Sequence, residues 1–90
     1  MDRLTEMEAF ATVVDQGGFT DAAKKMGISK SAVSKHVSAL EARLGARLLN
    51  RSTRQLQLTA EGCGLYERGV RVLAALDEAE RCAGVQDTPR

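Results

Sequence analysis

Residues 22–41 read AAKKMGISKSAVSKHVSALE, and this stretch decides the fold. Its first residues suit a short helix, and Gly27-Ile28-Ser29 forms a tight turn after Met26. Ser29 then supplies a hydroxyl suited to capping a third helix that runs to about Leu44. In that helix Val33, Val37, Leu40 and Leu44 fall at i, i+4, i+7 and i+11, so they form one apolar stripe expected to be buried. The opposite face carries Ser31, Lys35, Ser38 and Ala42, with Lys30 and Ser34 on its flanks. That face is small, polar and basic, and its first two turns lack long acidic side chains.

This succession is that of a helix-turn-helix. Ala23 puts a small residue where two helices cross closely, and Gly27 supplies the positive φ that a tight interhelical turn requires. Val33 locks the second helix onto the first and leaves the polar face outward. The major groove of B-DNA admits one helix whose N-terminal turns meet the base edges. Short serines allow a close backbone approach, and lysines reach guanine acceptors or phosphates.

Upstream, Leu4, Met7, Phe10, Ala11 and Val14 recur at helical spacing and predict a first helix over residues 4–16. Gly17-Gly18 ends it, and Thr20 is expected to cap the second helix, with Phe19 tucked into the core just before the cap. Downstream, Gly45 stops the third helix as a glycine just past its end. Leu48-Leu49-Asn50 and Leu56-Gln57-Leu58 predict a small β-hairpin with a basic tip that contains Arg51 and Arg54. Thr59 caps a long fourth helix whose apolar positions are Leu65, Val72, Leu73, Leu76, Ala79 and Ala83. The fold class expected is mainly α: a winged helix-turn-helix with a three-helix core, a small hairpin wing and a long C-terminal linker helix. The domain boundaries expected are 1–58 for the winged unit, 59–86 for the linker helix and 87–90 for a hinge or tail.

A net charge of +1 over 90 residues is uninformative until it is divided along the chain. Residues 1–27 carry three bases against five acids, residues 28–54 six bases against the single acid Glu41, and residues 55–90 four bases against six acids. The middle third is therefore +5 between two segments of −2, a local electrostatic footprint for a polyanion. Cys63 and Cys82 match no zinc spacing and read as two reduced thiols, so no metal and no cofactor are expected. The chain has no apolar run of transmembrane length and no signal peptide, which predicts a cytoplasmic protein without a membrane partner. No nucleophile with base and orienter and no carboxylate pair stands out, so the chain is not expected to be an enzyme. A pure protein-interaction module is the remaining alternative, and the +5 block argues against it.

The run from Ala22 to Glu41, its continuation Leu44-Gly45-Ala46-Arg47-Leu48-Leu49-Asn50-Arg51-Ser52-Thr53-Arg54, and Leu58-Thr59-Ala60-Glu61-Gly62 together resemble LysR-type transcriptional regulators. Phe10 and Gly18-Phe19 fit the same pattern. The resemblance implies base reading by Lys30, Ser31, Ser34 and Lys35, with Ser29 and His36 touching phosphates or positioning the helix. Many members carry Gln-Pro at Lys30-Ser31 and arginine at Lys35, so positions carry over better than the bases they would read. Arg51 and Arg54 match wing residues that track the flanking backbone or minor groove. Such regulators continue past a Thr-Pro-Arg-like hinge into a larger effector-binding domain. This chain stops at Thr88-Pro89-Arg90, which leaves an excised fragment or a short relative and no small-molecule site to expect.

The fourth helix is expected to dimerise through Leu65, Gly69, Val72, Leu73, Leu76 and Ala79. Leu65, Val72 and Ala79 are spaced by seven, as are Gly62 and Gly69. Glycine inside a helix costs about 1 kcal/mol relative to alanine, and a partner helix packed over those gaps would offset the loss. Two-fold pairing would present two recognition helices to an inverted-repeat operator on double-stranded DNA.

Overall fold

Phe10 is fully buried, and the helices are arranged around it. The computed structural model describes residues 3–50 and 56–83. In chain order the elements are α1 (Arg3–Gln16), α2 (Phe19–Met26), α3 (Lys30–Leu44), β1 (Leu49–Asn50), β2 (Gln57–Leu58) and α4 (Ala60–Cys82). Ala9, Phe10 and Val13 of α1 meet Ala22 and Ala23 of α2 and Val33, Val37 and Leu40 of α3 in one cluster, which Leu48 and Leu49 complete. The two strands are antiparallel and pair Leu49 with Leu58 and Asn50 with Gln57. This is a mainly helical winged helix-turn-helix. The tip expected to carry Arg51 and Arg54, the end of the linker helix at 84–86 and the tail 87–90 lie outside the described residues.

Local chemistry accounts for the element ends. Gly17 (φ 80°), Gly27 (φ 72°) and Gly45 (φ 66°) all take the left-handed conformation that a β-carbon disfavours, and each sits where a helix must stop. At the end of α2 the Gly27 N–H donates to the carbonyls of Ala23 and Lys24, and the Ile28 N–H donates to Ala23 as well. Thr59 caps α4, its hydroxyl accepting from the Gly62 N–H at 2.9 Å.

Two expectations need correction. The N-cap of α2 is Gly18, with no side-chain capping bond, so Thr20 lies inside the first turn instead of ahead of it. Gly18 is fully extended (φ 174°), and its carbonyl already accepts from Ala22 at 3.2 Å, so the helix begins one residue before Thr20. Phe19 is accordingly the first helical residue, half-buried against the core. Leu44 is 45% exposed and does not extend the buried stripe. It lies in the last turn of α3, on a groove that it shares with Leu4 and Val72 and that nothing among the described residues covers.

The first half of α4 packs back on the core through Leu65 and Tyr66, and the Tyr66 hydroxyl donates to an Asp15 carboxylate oxygen at the end of α1. That hydrogen bond favours the protonated phenol, so Tyr66 is raised above its ordinary value near 10. A raised folded-state value means that the contribution is complete below the unfolded value and is lost as pH rises through the folded one. Tyr66 is the only tyrosine, so its phenolate absorbance reports it directly. Unfolding between neutral pH and about pH 11 is expected to show wild-type stability falling at the alkaline end, and Tyr66→Phe to lack that fall while being less stable at neutral pH. Parallel curves for the two proteins would contradict the assignment.

Candidate nucleic-acid interface

The turn and the cap set where α3 begins. Ser29 is extended (φ −75°, ψ 157°) and its hydroxyl oxygen accepts from the Ala32 N–H at 3.0 Å. No acidic residue occupies the first turn, so the positive end of the helix dipole is left open to an anion. Val33 and Val37 are 0% exposed and Leu40 1%, which fixes the rotation of the helix about its axis. Lys30, Ser31, Lys35, Ser38 and Ala42 consequently stand exposed, as does Ser29, while Ser34 and His36 are half-buried on the two flanks. Nδ1 of His36 is sealed from solvent with no hydrogen-bond partner.

The basic block is less uniform than a charge count suggests. Arg43, at the far end of α3, places Nη2 2.7 Å and Nε 3.3 Å from Oε1 of Glu6, a carboxylate on α1 that is only 3% exposed. This pair ties the end of α3 to the start of α1. The lone acid of the block, Glu41, accepts from the backbone N–H groups of Leu48 and Leu49 at 2.9 and 3.1 Å, so it anchors the strand that begins the wing. Neither role was read from the sequence. An acid alone in a +5 segment was the available signal for Glu41, whereas Glu6 and Arg43 are 37 positions apart and nothing local links them. Lys30, Lys35, Arg43 and Arg47 are the block's exposed bases among the described residues, Arg43 being engaged with Glu6, and Lys24 and Lys25 add to them from the last turn of α2.

The six residues expected to dimerise do not form one surface. Gly69 is buried against its own chain: a β-carbon there would sit 2.6 Å from Met7 Sδ. Gly62 is enclosed in the same way by Leu48. These gaps are filled by the domain itself, so a partner helix is not needed to explain them. Leu65 packs on the core and Leu73 is half-buried. Val72 (54% exposed), Leu76 (38% exposed) and Ala79 remain uncovered, and Leu4 (41%) and Leu44 (45%) extend the apolar strip from α1 and α3. Both cysteines are free and exposed, and no group of three metal-ligating side chains occurs among the described residues.

Residues 4–63 match the family of bacterial regulatory helix-turn-helix proteins of the LysR type. The chain belongs to the LysR family. It is 49% identical over 80 residues to an HTH-type transcriptional repressor of Pseudomonas aeruginosa, covering 89% of this chain and 25% of that protein. It is 41% identical over 90 residues to the HTH-type transcriptional activator AaeR of Escherichia coli, covering 99% of this chain and 29% of the relative. The chain thus spans roughly a quarter of the length of the curated relatives it matches. Among solved structures it superposes with a TM-score of 0.89 on the BenM DNA-binding domain in complex with catB site 1 DNA, at 29% identity, covering 100% of this chain and 99% of that one.

In this LysR-family domain the Glu6–Arg43 pair has a measurable weight. Arg43→Ala would strand a buried carboxylate, and the expected loss is about 1–3 kcal/mol, kept to this size because the Arg43 side chain is itself partly solvated. Urea unfolding of the two proteins gives the number, and equal midpoints would show that the pair is incidental.

Proposed function

We propose that this domain binds double-stranded DNA sequence-specifically as the DNA-binding part of a LysR-type transcription regulator, with α3 in the major groove. The outward face of α3 carries this reading. Lys30, Ser31, Ser34 and Lys35 are the base-reading candidates, grouped on the first two turns, and all but the half-buried Ser34 are exposed. Ser29 and His36 contact phosphates or hold the helix in place, and Arg51 and Arg54 follow the flanking backbone or minor groove. The BenM DNA-binding domain, solved in complex with DNA, overlays this chain over its full length, which supports a DNA-binding role.

The domain acts as a homodimer on an inverted-repeat operator, in the cytoplasm and without catalysing a reaction. Val72, Leu76 and Ala79 supply the pairing surface, with Leu4 and Leu44 beside it. The family's character as regulators supports the non-catalytic reading. No helix among the described residues is long and apolar enough to cross a membrane, which accords with a cytoplasmic location.

Two measurements test the proposal. Fluorescence titration with duplex DNA is expected to show affinity falling steeply with salt, the logarithmic slope being about −0.9 for each phosphate neutralised. A flat response would favour a protein-interaction module. At a selected operator, Lys35→Ala or Ser34→Ala is expected to cost about 1–3 kcal/mol and relax base preference, whereas Arg51→Ala weakens all sequences alike. Unchanged base preference in Lys35→Ala would remove that residue from the reading set.

A further inference from the structure

Four elements converge on one peptide. The N–H groups of Leu48 and Leu49 both donate to Oε2 of Glu41, late in α3. The Leu48 carbonyl accepts from the Thr59 N–H at 3.0 Å, and the Thr59 hydroxyl donates to the Arg47 carbonyl at 2.6 Å while accepting from Gly62. A β-carbon on Gly62 would lie 2.2 Å from the Leu48 carbonyl oxygen and 3.0 Å from Leu58 Cδ2, so the first turn of α4 rests directly on the backbone of the wing. Leu48 and Leu49 are 1% and 0% exposed, so this junction has little freedom to shift. The strand ladder alone, two residues a side, would hold it weakly.

We propose that Glu41 and Gly62 are positioning residues that fix the angle between α3 and α4 and thereby the half-site spacing that the paired domain accepts. The inference rests on the reading of α3 as the DNA-facing helix and α4 as the pairing helix. Glu41 sets β1 against α3, and Gly62 sets α4 against β1, so the two helices share one rigid pivot. From Gly62 to Ala79 the helix runs for about 25 Å at 1.5 Å per residue, so a tilt of about 5° at its base moves the far end by roughly 2 Å. A two-fold axis doubles this to about 4 Å, close to the rise of one base pair, about 3.4 Å. Small changes at the pivot therefore become whole steps along the duplex.

The test uses the 90-residue chain, wild type against Glu41→Gln and Gly62→Ala, each checked for cooperative thermal unfolding. Half-sites selected from random duplexes by the wild type are built into fluorescein-labelled duplexes with stepwise spacers and into a single-half-site duplex. The wild type is expected to show one spacing optimum. Glu41→Gln keeps the shape of the side chain but replaces charge-assisted bonds with weaker ones, so it should reduce discrimination between adjacent spacings by about fivefold. Gly62→Ala should move the optimum, with single-half-site affinity and base preference within about twofold of wild type in both variants. Spacing profiles identical to wild type would overturn the proposal while leaving DNA binding intact. So would equal weakening at every spacing and at the single half-site, which marks a merely structural role. A wild type with no spacing optimum would instead sink the pairing reading, and the proposal with it. If Gly62→Ala does not fold, the Glu41→Gln profile decides alone.

Discussion

The rotation of α3 about its own axis is set by Val33, Val37 and Leu40, and the rest of the surface follows from it. Each of these side chains is essentially fully buried, and burial of such a residue stabilises by about 1.5–3 kcal/mol. Turning the helix by one residue, about 100°, would bring Ser34 inward and leave Val33 in water, since neighbours in sequence lie far apart around a helix. Burying a serine hydroxyl or a lysine head without a partner costs more than the apolar contact returns. The polar face is therefore outward as a consequence of packing, before any ligand is considered.

Charge in the middle of the chain serves two purposes that composition cannot separate. Arg43 and Glu41 belong to the +5 segment, yet one neutralises a buried carboxylate on α1 and the other gathers two backbone amides at the start of the wing. The exposed bases Lys30 and Lys35 then lie on the first two turns of a helix with no acid in its first turn, while Arg47 stands exposed past its other end. The internal pairs hold the C-terminal end of α3, and Val33, Val37 and Leu40 hold its apolar face. A helix held at two places presents its first turns at a defined height and angle, as recognition of base edges demands.

Much of this was legible in the sequence because the signals are local. The stripe at i, i+4 and i+7, the Ser29 and Thr59 caps and the stop glycines 27 and 45 each act within a turn or two of the residue concerned. Other features were hidden because they depend on what lies across the fold. Thr20 is a good capping residue, but Gly18 was already extended and its carbonyl accepted the first helical bond, so the helix started earlier. Leu44 continues the apolar period of α3 but overruns the surface it packs on. Gly69 looked like a gap awaiting another subunit, and Met7 of the same chain fills it. In each case the residue type was read correctly, but its neighbour lay elsewhere in the chain.

The two halves of α4 solve different problems, and their compositions differ accordingly. Gly62, Gly64 and Gly69 all lie in the first half, where each lowers helix propensity by about 1 kcal/mol relative to alanine. Gly62 is required by close packing on the Leu48 backbone and Gly69 lies beneath the flexible end of Met7, and the contacts of Leu65 and Tyr66 supply tertiary support that propensity does not. The second half, Val70–Cys82, contains no glycine and is mostly alanine, leucine, glutamate and arginine, all good helix formers. It has little of the domain to lean on and is steadied by the Asp77–Arg81 pair at 3.0 Å across one turn. A helix that supports itself while leaving Val72 and Leu76 exposed keeps its shape without a covering element. In the proposed dimer, little ordering entropy would then oppose the arrival of a second copy along that strip.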